Sequence, residues 1–366
     1  MSSEEHTTLR KLWTRMRKVL SEPHPIDPVR APAFVNLESV AAHRNARGEP
    51  DFPEPLMPWI DRPDADVDAY VRSLPETPTD YDLSEALHHW RRDGYVLFEQ
   101  AVSRRLIDQY LADMRELVEN HKAYDVLLNH HVRGVASARD LTSEELRHPK
   151  LRVMDFHNAS VAGKKLALAR KIVSFLGHVF AEPVVAMQTL TFYRGSQQEE
   201  HQDYAYVVSG NPAHLAASWI ALEDVHPEAG PLGYFPGSHR IPKFDFGNGL
   251  FLTPQSPRRE IDFLAHIRVQ CAAQGLQEKI FLAKKGDVFV WHGALVHRGS
   301  PVVDPARTRL SLATHYSSAS GYPRDRRNIE IAPDCYYLNG AAVYGDPARP
   351  GTENILAGGE SIPDEA

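Results

Sequence analysis

The chain has 366 residues, 42% of them hydrophobic, which is enough to bury a substantial core in one large domain or two small ones. Its 41 basic and 48 acidic residues give a formal charge of -7 without long blocks of one sign, which argues against nucleic-acid binding. Only two cysteines are present, so the composition excludes a disulfide framework and a cysteine-based zinc site. We therefore expect a chain suited to a reducing interior that acts on a small-molecule or carrier-bound substrate.

The N-terminal sequence and the distribution of apolar residues predict a cytoplasmic protein. The first residues, MSSEEHTTLRKLW, include early acids and lack an apolar segment of signal-peptide length. No later run approaches the roughly 18 consecutive apolar residues of a membrane-spanning helix. Neither a membrane nor a nucleic acid is an expected partner.

The first 85 residues are predicted to form a helix followed by a proline-rich arm. Apolar residues recur at helical spacing over 7–20. Over 22–63, prolines remove amide donors and disfavour helix at the residues that precede them. The region 1–85 has no role that the sequence assigns, although a helix and an arm of this kind favour a homodimer.

Five segments carry apolar residues at helical spacing and are predicted to be helices. The third begins after Ser103, a suitable N-cap, and the second ends at Gly94, ahead of a short strand, YVLFEQAV. The segment 123–154 is rich in His and Arg, has little periodicity, and is predicted to be a loop over the functional site. The predicted helices are 64–74, 83–93, 103–122, 163–180 and 260–275.

From Glu182 onward the chain has the character of a β protein. Short apolar strands are divided by turns that contain Gly and Pro, a pattern that predicts a barrel or a sandwich. After Tyr322 the sequence is turn-rich again. We therefore predict a β domain that ends near residue 322, followed by an irregular extension over 323–366.

A candidate metal site stands at the end of the apolar stretch TLTFYRGSQQEEHQD. His201 and Asp203 are two residues apart, so on an extended segment both side chains point the same way. His297, in GDVFVWHGALVHRGS, supplies a third ligand. Its competitor, His292, is an odd number of residues earlier and would face the opposite way on a regular strand. Two His and one carboxylate on a β scaffold are typical of non-haem Fe(II) oxygenases.

The order of the motifs resembles the phytanoyl-CoA dioxygenase family of Fe(II)- and 2-oxoglutarate-dependent oxygenases. The likeness covers 87–316, and each motif is weak by itself, whereas their order and spacing together are specific. The motifs are WRRDGYVLFEQAV with the long helix after it, the His-Gln-Asp of 201–203, SWIALEDVHPEAGPLGYFPGSH, KKGDVFVWHGALVHRGSP and RTRLSLATHY. The first 85 residues have no counterpart in the family core.

The resemblance implies a mainly β protein with flanking helices, whose core over 86–322 is a cupin-like double-stranded β-helix, or jelly roll. It also implies that Fe(II), 2-oxoglutarate and O2 are the cofactors and cosubstrates. Arg309 matches the residue that grips the distal carboxylate of 2-oxoglutarate, since it stands six residues before a His followed by an aromatic residue; Arg307 remains the alternative. Trp219 matches a family tryptophan beside the cosubstrate, and Gln188 matches a hydrogen-bond donor at the cosubstrate or the substrate. A guanidinium suits the anchoring role because it donates two parallel hydrogen bonds to a carboxylate.

The expected reaction is hydroxylation of an unactivated C–H bond, with release of succinate and CO2. Asp203 favours hydroxylation or desaturation over halogenation, since related halogenases have Ala or Gly at the matching position. Desaturation, epimerisation or ring formation with the same cofactors is the first alternative. A non-catalytic jelly roll that binds a ligand or partner is the second, and a zinc hydrolase is disfavoured because no general base stands nearby. For an anionic substrate, Arg194 is the first residue that the sequence offers.

Overall fold

The computed structural model describes residues 40, 42–130, 133–148, 150–207, 209–322 and 335–344. The predicted helix at 7–20 and most of the predicted extension 323–366 lie outside them. The helices of seven or more residues, in chain order, are α1 Val67–Ser73, α2 Leu83–Asp93, α3 Arg104–Glu119, α4 Val161–Ala167, α5 Arg170–Phe180 and α6 Glu260–Ala273.

The strands are β1 Tyr95–Phe98, β2 Leu127–His130, β3 Gly134–Ser137, β4 Arg152–Met154, β5 Val184–Phe192, β6 Ala216–Ala221, β7 Leu232–Tyr234, β8 Lys279–Phe281, β9 Val288–His292, β10 His297–Gly299, β11 Ser311–Ser318, β12 Cys335–Leu338 and β13 Ala341–Tyr344.

Two antiparallel sheets form the core of the fold. The larger sheet has the strand order β1-β9-β6-β11-β5-β4-β2-β3, and the hairpin of β12 and β13 joins it through a parallel pairing of β13 with β5. The smaller sheet has the order β10-β7-β8. This pair of sheets with helices outside is the predicted jelly roll, so the predicted fold class is confirmed.

The larger sheet has a hydrophobic core on each of its two faces. On β6, Trp219 belongs to an aromatic core between the sheets, which also contains Leu232 and Tyr234 of the smaller sheet. Its neighbour Ile220 belongs to the core on the opposite face, where α3 and α5 pack. Successive side chains of a strand point to opposite faces, so β6 contributes to both cores. The inner face also borders the candidate site.

The predicted helices next to β1 form because their ends are capped. The Asp82 side chain accepts a hydrogen bond from the amide of Glu85, and Ser103 does the same for Leu106. Gly94 ends α2 in the left-handed region, with φ of 79°, where a Cβ would also collide with His239. The predicted helices at 83–93 and 103–122 are confirmed to within a few residues.

Two predicted elements differ from the structure. The segment 123–154 is not only a loop, since it contributes β2, β3 and β4 to the larger sheet, and Leu128 faces Val153 across β2 and β4. These strands have three or four residues, too few for a periodic pattern to identify. The single helix predicted over 163–180 is broken, because Ala169 is extended, with ψ of 134°. Leu168 and Ala169 are fully buried, so packing overrides the local helical pattern here.

The described end of the proline-rich segment lies on the β domain. Ile60 is fully buried, and the indole N–H of Trp59 donates to the carbonyl of His178 at 2.8 Å. The backbone carbonyl of Leu56 accepts from the Asn211 side chain at 2.9 Å. The division at residue 85 remains a prediction. Among the described residues, no helix has both the length and the apolar character that crossing a bilayer requires.

Candidate active site

The structure brings together His201, Asp203 and His297. His201 and His297 pair through two backbone hydrogen bonds of 3.0 and 3.1 Å, which fix the two chain segments side by side. Asp203 follows as the first residue of a short 3-10 turn. One ligand atom from each residue lies within 4.8 Å of the other two. Within the described part of the chain, this is the one group of three or more such side chains that could hold a metal ion.

Both imidazoles of the site are held in the tautomer that a metal requires. The Nδ1 atom of His201 is 2.8 Å from the carbonyl oxygen of Glu199, and that of His297 is 3.0 Å from the carbonyl oxygen of Leu295. A carbonyl only accepts, so each Nδ1 carries a hydrogen, and Nε2 is the nitrogen left to face a metal ion. Burial also lowers the pKa of His201 to about 3, which keeps this ring neutral.

The carboxylate of Asp203 is oriented by a residue that the sequence did not reveal. Its Oδ2 atom accepts a 2.8 Å hydrogen bond from the indole of Trp291 and lies 3.5 Å from Nε2 of His315. Its Oδ1 atom lies 3.7 and 3.6 Å from the Nε2 atoms of His201 and His297. Burial would raise the pKa of Asp203, but His297 and His315 outweigh burial and lower the pKa. One oxygen is therefore fixed while the other, ionised, faces the imidazoles.

This donor set fits a divalent first-row metal ion. Two imidazole nitrogens and one carboxylate oxygen, all on buried residues, converge at one end of the cleft. Such a 2-His-1-carboxylate arrangement with open positions suits Fe(II). His292 takes no part, because its ring bonds to Asp61 and to the amide of Ala294. It ends β9 whereas His297 begins β10, so alternation along a single strand is not what separates the two rings.

The donor set lies at one end of a cavity of about 260 Å³ between the two sheets. All six predicted site residues line it: besides the three candidate ligands, these are Gln188, Trp219 and Arg309. Gln188 and His315 are opposite each other on β5 and β11, and Trp219 is opposite Ala313 on β6 and β11. The cavity floor is therefore built from three adjacent strands of the larger sheet.

Arg309 is a buried cation with unused hydrogen-bonding capacity. It is 2% exposed, and its guanidinium lies 5.4 Å from the ring centre of Trp219 and 5.8 Å from that of Phe192. One N–H donates to the carbonyl of Arg194 at 3.4 Å, whereas Nε has no partner among the described residues. Burial lowers the pKa of Arg309 to about 10, so it stays cationic at neutral pH. A carboxylate in the cavity would satisfy it.

The alternative arginine is placed quite differently. The side chain of Arg307 lies at the surface, where it is 3.1 Å from Asp304 and 3.5 Å from Glu228. It does not line the cavity. Of the two arginines that the sequence leaves open, the geometry thus favours Arg309 as the residue that meets a ligand.

Sequence reasoning missed two further lining residues on the wall of the cavity. Arg152 on β4 and Asn129 on β2 both line it, although the segment that carries them was predicted to be a loop. Arg194, the residue first considered for an anionic substrate, is not among the lining residues. An arginine within the short apolar run LRVM could have indicated a buried cation. Nothing in the sequence, however, shows that this run pairs with β5.

Comparison with known proteins places the chain in a family. The family described as "Phytanoyl-CoA dioxygenase (PhyH)" matches residues 90–309. "Phytanoyl-CoA dioxygenase 1" of Oryza sativa subsp. japonica is 25% identical over 210 residues, which cover 55% of this chain and 68% of that protein. "Ectoine dioxygenase" of Nocardia farcinica is 30% identical over 164 residues, 43% of this chain and only 51% of that protein.

Two solved structures are among those to which this one is similar. The epimerase SnoN, in a complex with Fe3+, alpha ketoglutarate and nogalamycin RO, has a TM-score of 0.49 and 20% identity over 72% of this chain and 96% of its own. EctD from S. alaskensis, with 2-oxoglutarate and 5-hydroxyectoine, has a TM-score of 0.49 and 18% identity over 67% of this chain and 80% of its own. The match over residues 90–309, more than half of the sequence, shows that this chain belongs to the phytanoyl-CoA dioxygenase family.

Proposed function

We propose that this protein is an Fe(II)- and 2-oxoglutarate-dependent dioxygenase that hydroxylates an unactivated C–H bond of a small metabolite or carrier-linked intermediate. The observation that carries the proposal is the convergence of three buried ligand atoms within 4.8 Å of one another, at one end of a cavity that also contains the buried cation Arg309. Membership of the phytanoyl-CoA dioxygenase family supports it.

In this proposal, His201, Asp203 and His297 hold the metal, and the cavity admits the cosubstrate and the substrate. When bound, Fe(II) with 2-oxoglutarate and O2 supplies the oxidation of a C–H bond, coupled to release of succinate and CO2. The carbonyls of Glu199 and Leu295 keep both imidazoles ready to bind through Nε2. The chain's own task is to hold the ligands, orient the target carbon and exclude water.

Arg309 is the proposed anchor for the distal carboxylate of 2-oxoglutarate. Arg309 suits a dicarboxylate because it is buried and cationic, and its guanidinium lies over the ring of Trp219. Its Nε atom has no hydrogen-bond partner among the described residues. The fixed plane of the guanidinium permits two parallel hydrogen bonds, which defines the direction of the cosubstrate as well as its position. Gln188 and Trp219 are proposed to complete the cosubstrate site, where the free indole N–H of Trp219 offers one more donor.

The direct test is turnover of 2-oxoglutarate. Protein purified without metal is supplied with Fe(II), 2-oxoglutarate and O2, and succinate is measured with and without a panel of candidate metabolites. We expect succinate that depends on Fe(II) and rises with a productive metabolite. A protein that binds neither Fe(II) nor 2-oxoglutarate would contradict the proposal and favour a non-catalytic jelly roll.

The mass of the product separates hydroxylation from its alternatives. Hydroxylation adds one oxygen atom to the metabolite, desaturation and ring formation each remove two hydrogens, and epimerisation leaves the mass unchanged. All four outcomes use the same ligands, so this measurement tests the reaction type independently of the cofactors.

A further inference from the structure

The segment that carries His201 and Asp203 has little regular structure of its own. Among the described residues between β5 and β6, such structure is limited to a single bridge between His201 and His297 and to a short 3-10 turn that begins at Asp203. One further backbone hydrogen bond, of 3.0 Å, runs from the amide of Tyr204 to the carbonyl of Gly293. A segment with so few backbone hydrogen bonds depends on side-chain contacts to keep one conformation.

Helix α6 contacts this segment just before His201. One terminal nitrogen of Arg268 donates to the carboxylates of Glu199 and Glu200, at 2.8 and 2.7 Å. Burial would raise the pKa of Glu200, whose side chain is 12% exposed, but hydrogen bonds from a backbone amide and from Arg268 outweigh burial and lower the pKa. Glu200 and Arg268 are thus both charged at neutral pH. Because the carbonyl of Glu199 accepts from Nδ1 of His201, Arg268 holds the residue that orients this imidazole.

The same helix contacts the segment again just after Asp203. The hydroxyl of Tyr206 donates to a carboxylate oxygen of Glu260 at 2.8 Å. Tyr206 lines the cavity, and its ring stands edge-on to that of His201, with 5.9 Å between the ring centres. Glu260 lies in the first turn of α6 and Arg268 two turns later, about 12 Å further along the helix axis. The two contacts therefore lie on either side of both candidate ligands in the chain.

Helix α6 is itself fixed to the body of the protein. Phe263, Ile267 and Cys271 are buried on one face of it, and Nε2 of His266 donates to the carbonyl of Pro242 at 2.8 Å. The side chain of Arg268, in contrast, is 54% exposed, and exposed ion pairs contribute little to the stability of a fold. The contact of Arg268 is therefore of small value for folding, yet it joins a fixed helix to a segment that carries two metal ligands.

We propose that α6 is the support of the metal-binding segment, and that Arg268 and Glu260 are positioning residues that keep His201 and Asp203 at the spacing which the metal requires. This inference rests on the metal site of the proposed function and extends that site to residues outside the cavity. The physical reason is preorganisation: a segment that is already restricted loses less conformational entropy when the metal binds. By linkage, the bound metal also stabilises the contacts between the segment and α6.

The test compares metal affinity with the mobility of the segment. Mn(II) is titrated calorimetrically into the metal-free full chain, and hydrogen exchange of peptides that cover 199–207 is followed by mass spectrometry with and without Mn(II). In Arg268→Gln, Mn(II) affinity should fall by about 3- to 10-fold, the usual range for one hydrogen bond. Exchange over 199–207 should be faster than in the wild type when the metal is absent, and close to it when Mn(II) saturates the site. Tyr206→Phe should act in the same direction, and the double variant should exceed either one.

Two further variants make the outcome specific. Arg268→Lys keeps the charge and should restore most of the affinity, since either carboxylate can still be reached by an ammonium group. Arg170→Gln is the matched control, because Arg170 is 61% exposed and pairs with Asp80 at 3.1 Å on α5, away from the cavity lining. It should change neither Mn(II) affinity nor exchange over 199–207. The unfolding temperature is measured for every variant.

The possible results separate this inference from the proposed function. If the wild-type protein does not bind Mn(II), the metal site and the proposed function fail together. If the wild type binds Mn(II) and Arg268→Gln matches it in affinity and in exchange, the role of α6 is overturned and the proposed function stands. If the affinity of Arg268→Gln falls only together with its unfolding temperature, and Arg268→Lys does not restore it, the contact is merely structural and the inference is again overturned.

Discussion

The two ends of the cavity differ in how completely their polar groups are paired within the protein. At the metal end, each candidate ligand is held by a second contact: His201 by the carbonyl of Glu199, His297 by that of Leu295, and Asp203 by Trp291. On the wall formed by β2 and β4, the side chains of Arg152 and Asn129 have no such partner among the described residues. Side chains that are already held by the protein suit a metal ion that stays bound. Side chains without a partner in the protein suit a ligand that supplies the missing hydrogen bonds when it binds.

The largest expected effect follows removal of a candidate metal ligand at the metal end of the cavity. Asp203→Ala leaves two imidazoles without the anionic donor, so Mn(II) affinity, measured by calorimetry with apoprotein, should fall by more than about 100-fold. His201→Ala and His297→Ala should behave alike. The control is His292→Gln, which alters a buried His that is bonded to Asp61 and lies outside the ligand set. Equal Mn(II) affinity in the wild type and in Asp203→Ala would show that the cluster is not a metal site.

A smaller effect is expected when the cosubstrate anchor is removed. Arg309→Ala deletes a buried guanidinium from the cavity, and the affinity for 2-oxoglutarate should fall by about 100-fold, since two charge-assisted hydrogen bonds are lost. Mn(II) affinity should hold, because Arg309 makes no contact with the candidate ligands. Arg307→Ala, at the surface, serves as the matched control and should change neither affinity. Loss of 2-oxoglutarate binding in the Arg307 variant alone would reverse the assignment.

A still smaller effect on the metal is expected from loss of the contact that orients the carboxylate. Trp291→Phe keeps the aromatic packing but removes the N–H that holds Oδ2 of Asp203 at 2.8 Å. We expect Mn(II) affinity to weaken by about 10- to 100-fold, the usual cost of losing such a supporting hydrogen bond. Trp219→Phe removes an indole N–H that has no contact with Asp203, so its Mn(II) affinity should stay near that of the wild type. Similar losses in both variants would indicate a general effect of the aromatic core.

The metal end could be predicted from sequence because its signals are local. His201 and Asp203 are two residues apart in the chain, and a Gly-Asp pair followed by the apolar strand β9 marks the segment that carries His297. Trp291 escaped prediction because its role depends on where Asp203 lies after folding. A residue on an apolar strand gives no sign in sequence of which polar atom its N–H will reach.

The wall that carries Arg152 could not be predicted for a different reason. β2 and β4 have four and three residues, and the register that places Asn129 opposite Arg152 is set by pairing between strands more than 20 residues apart. Short strands have no measurable periodicity, so a propensity argument gives a loop. The same limit explains the break between α4 and α5, where burial of Leu168 and Ala169 decides the backbone.

The smallest predicted effect separates the stability of the scaffold from the chemistry of the cavity. Ser103→Ala removes the side-chain oxygen that accepts from the amide of Leu106 at the start of α3. The free energy of unfolding, from urea titration, should fall by about 1 kcal/mol, the typical cost of losing an N-cap. Ser103→Asp should retain stability, because Asp also caps helices. Because α3 packs on the outer face of the larger sheet, Mn(II) and 2-oxoglutarate affinities should be unchanged in both variants, and a loss of either would show that the outer helices also help to fix the metal end.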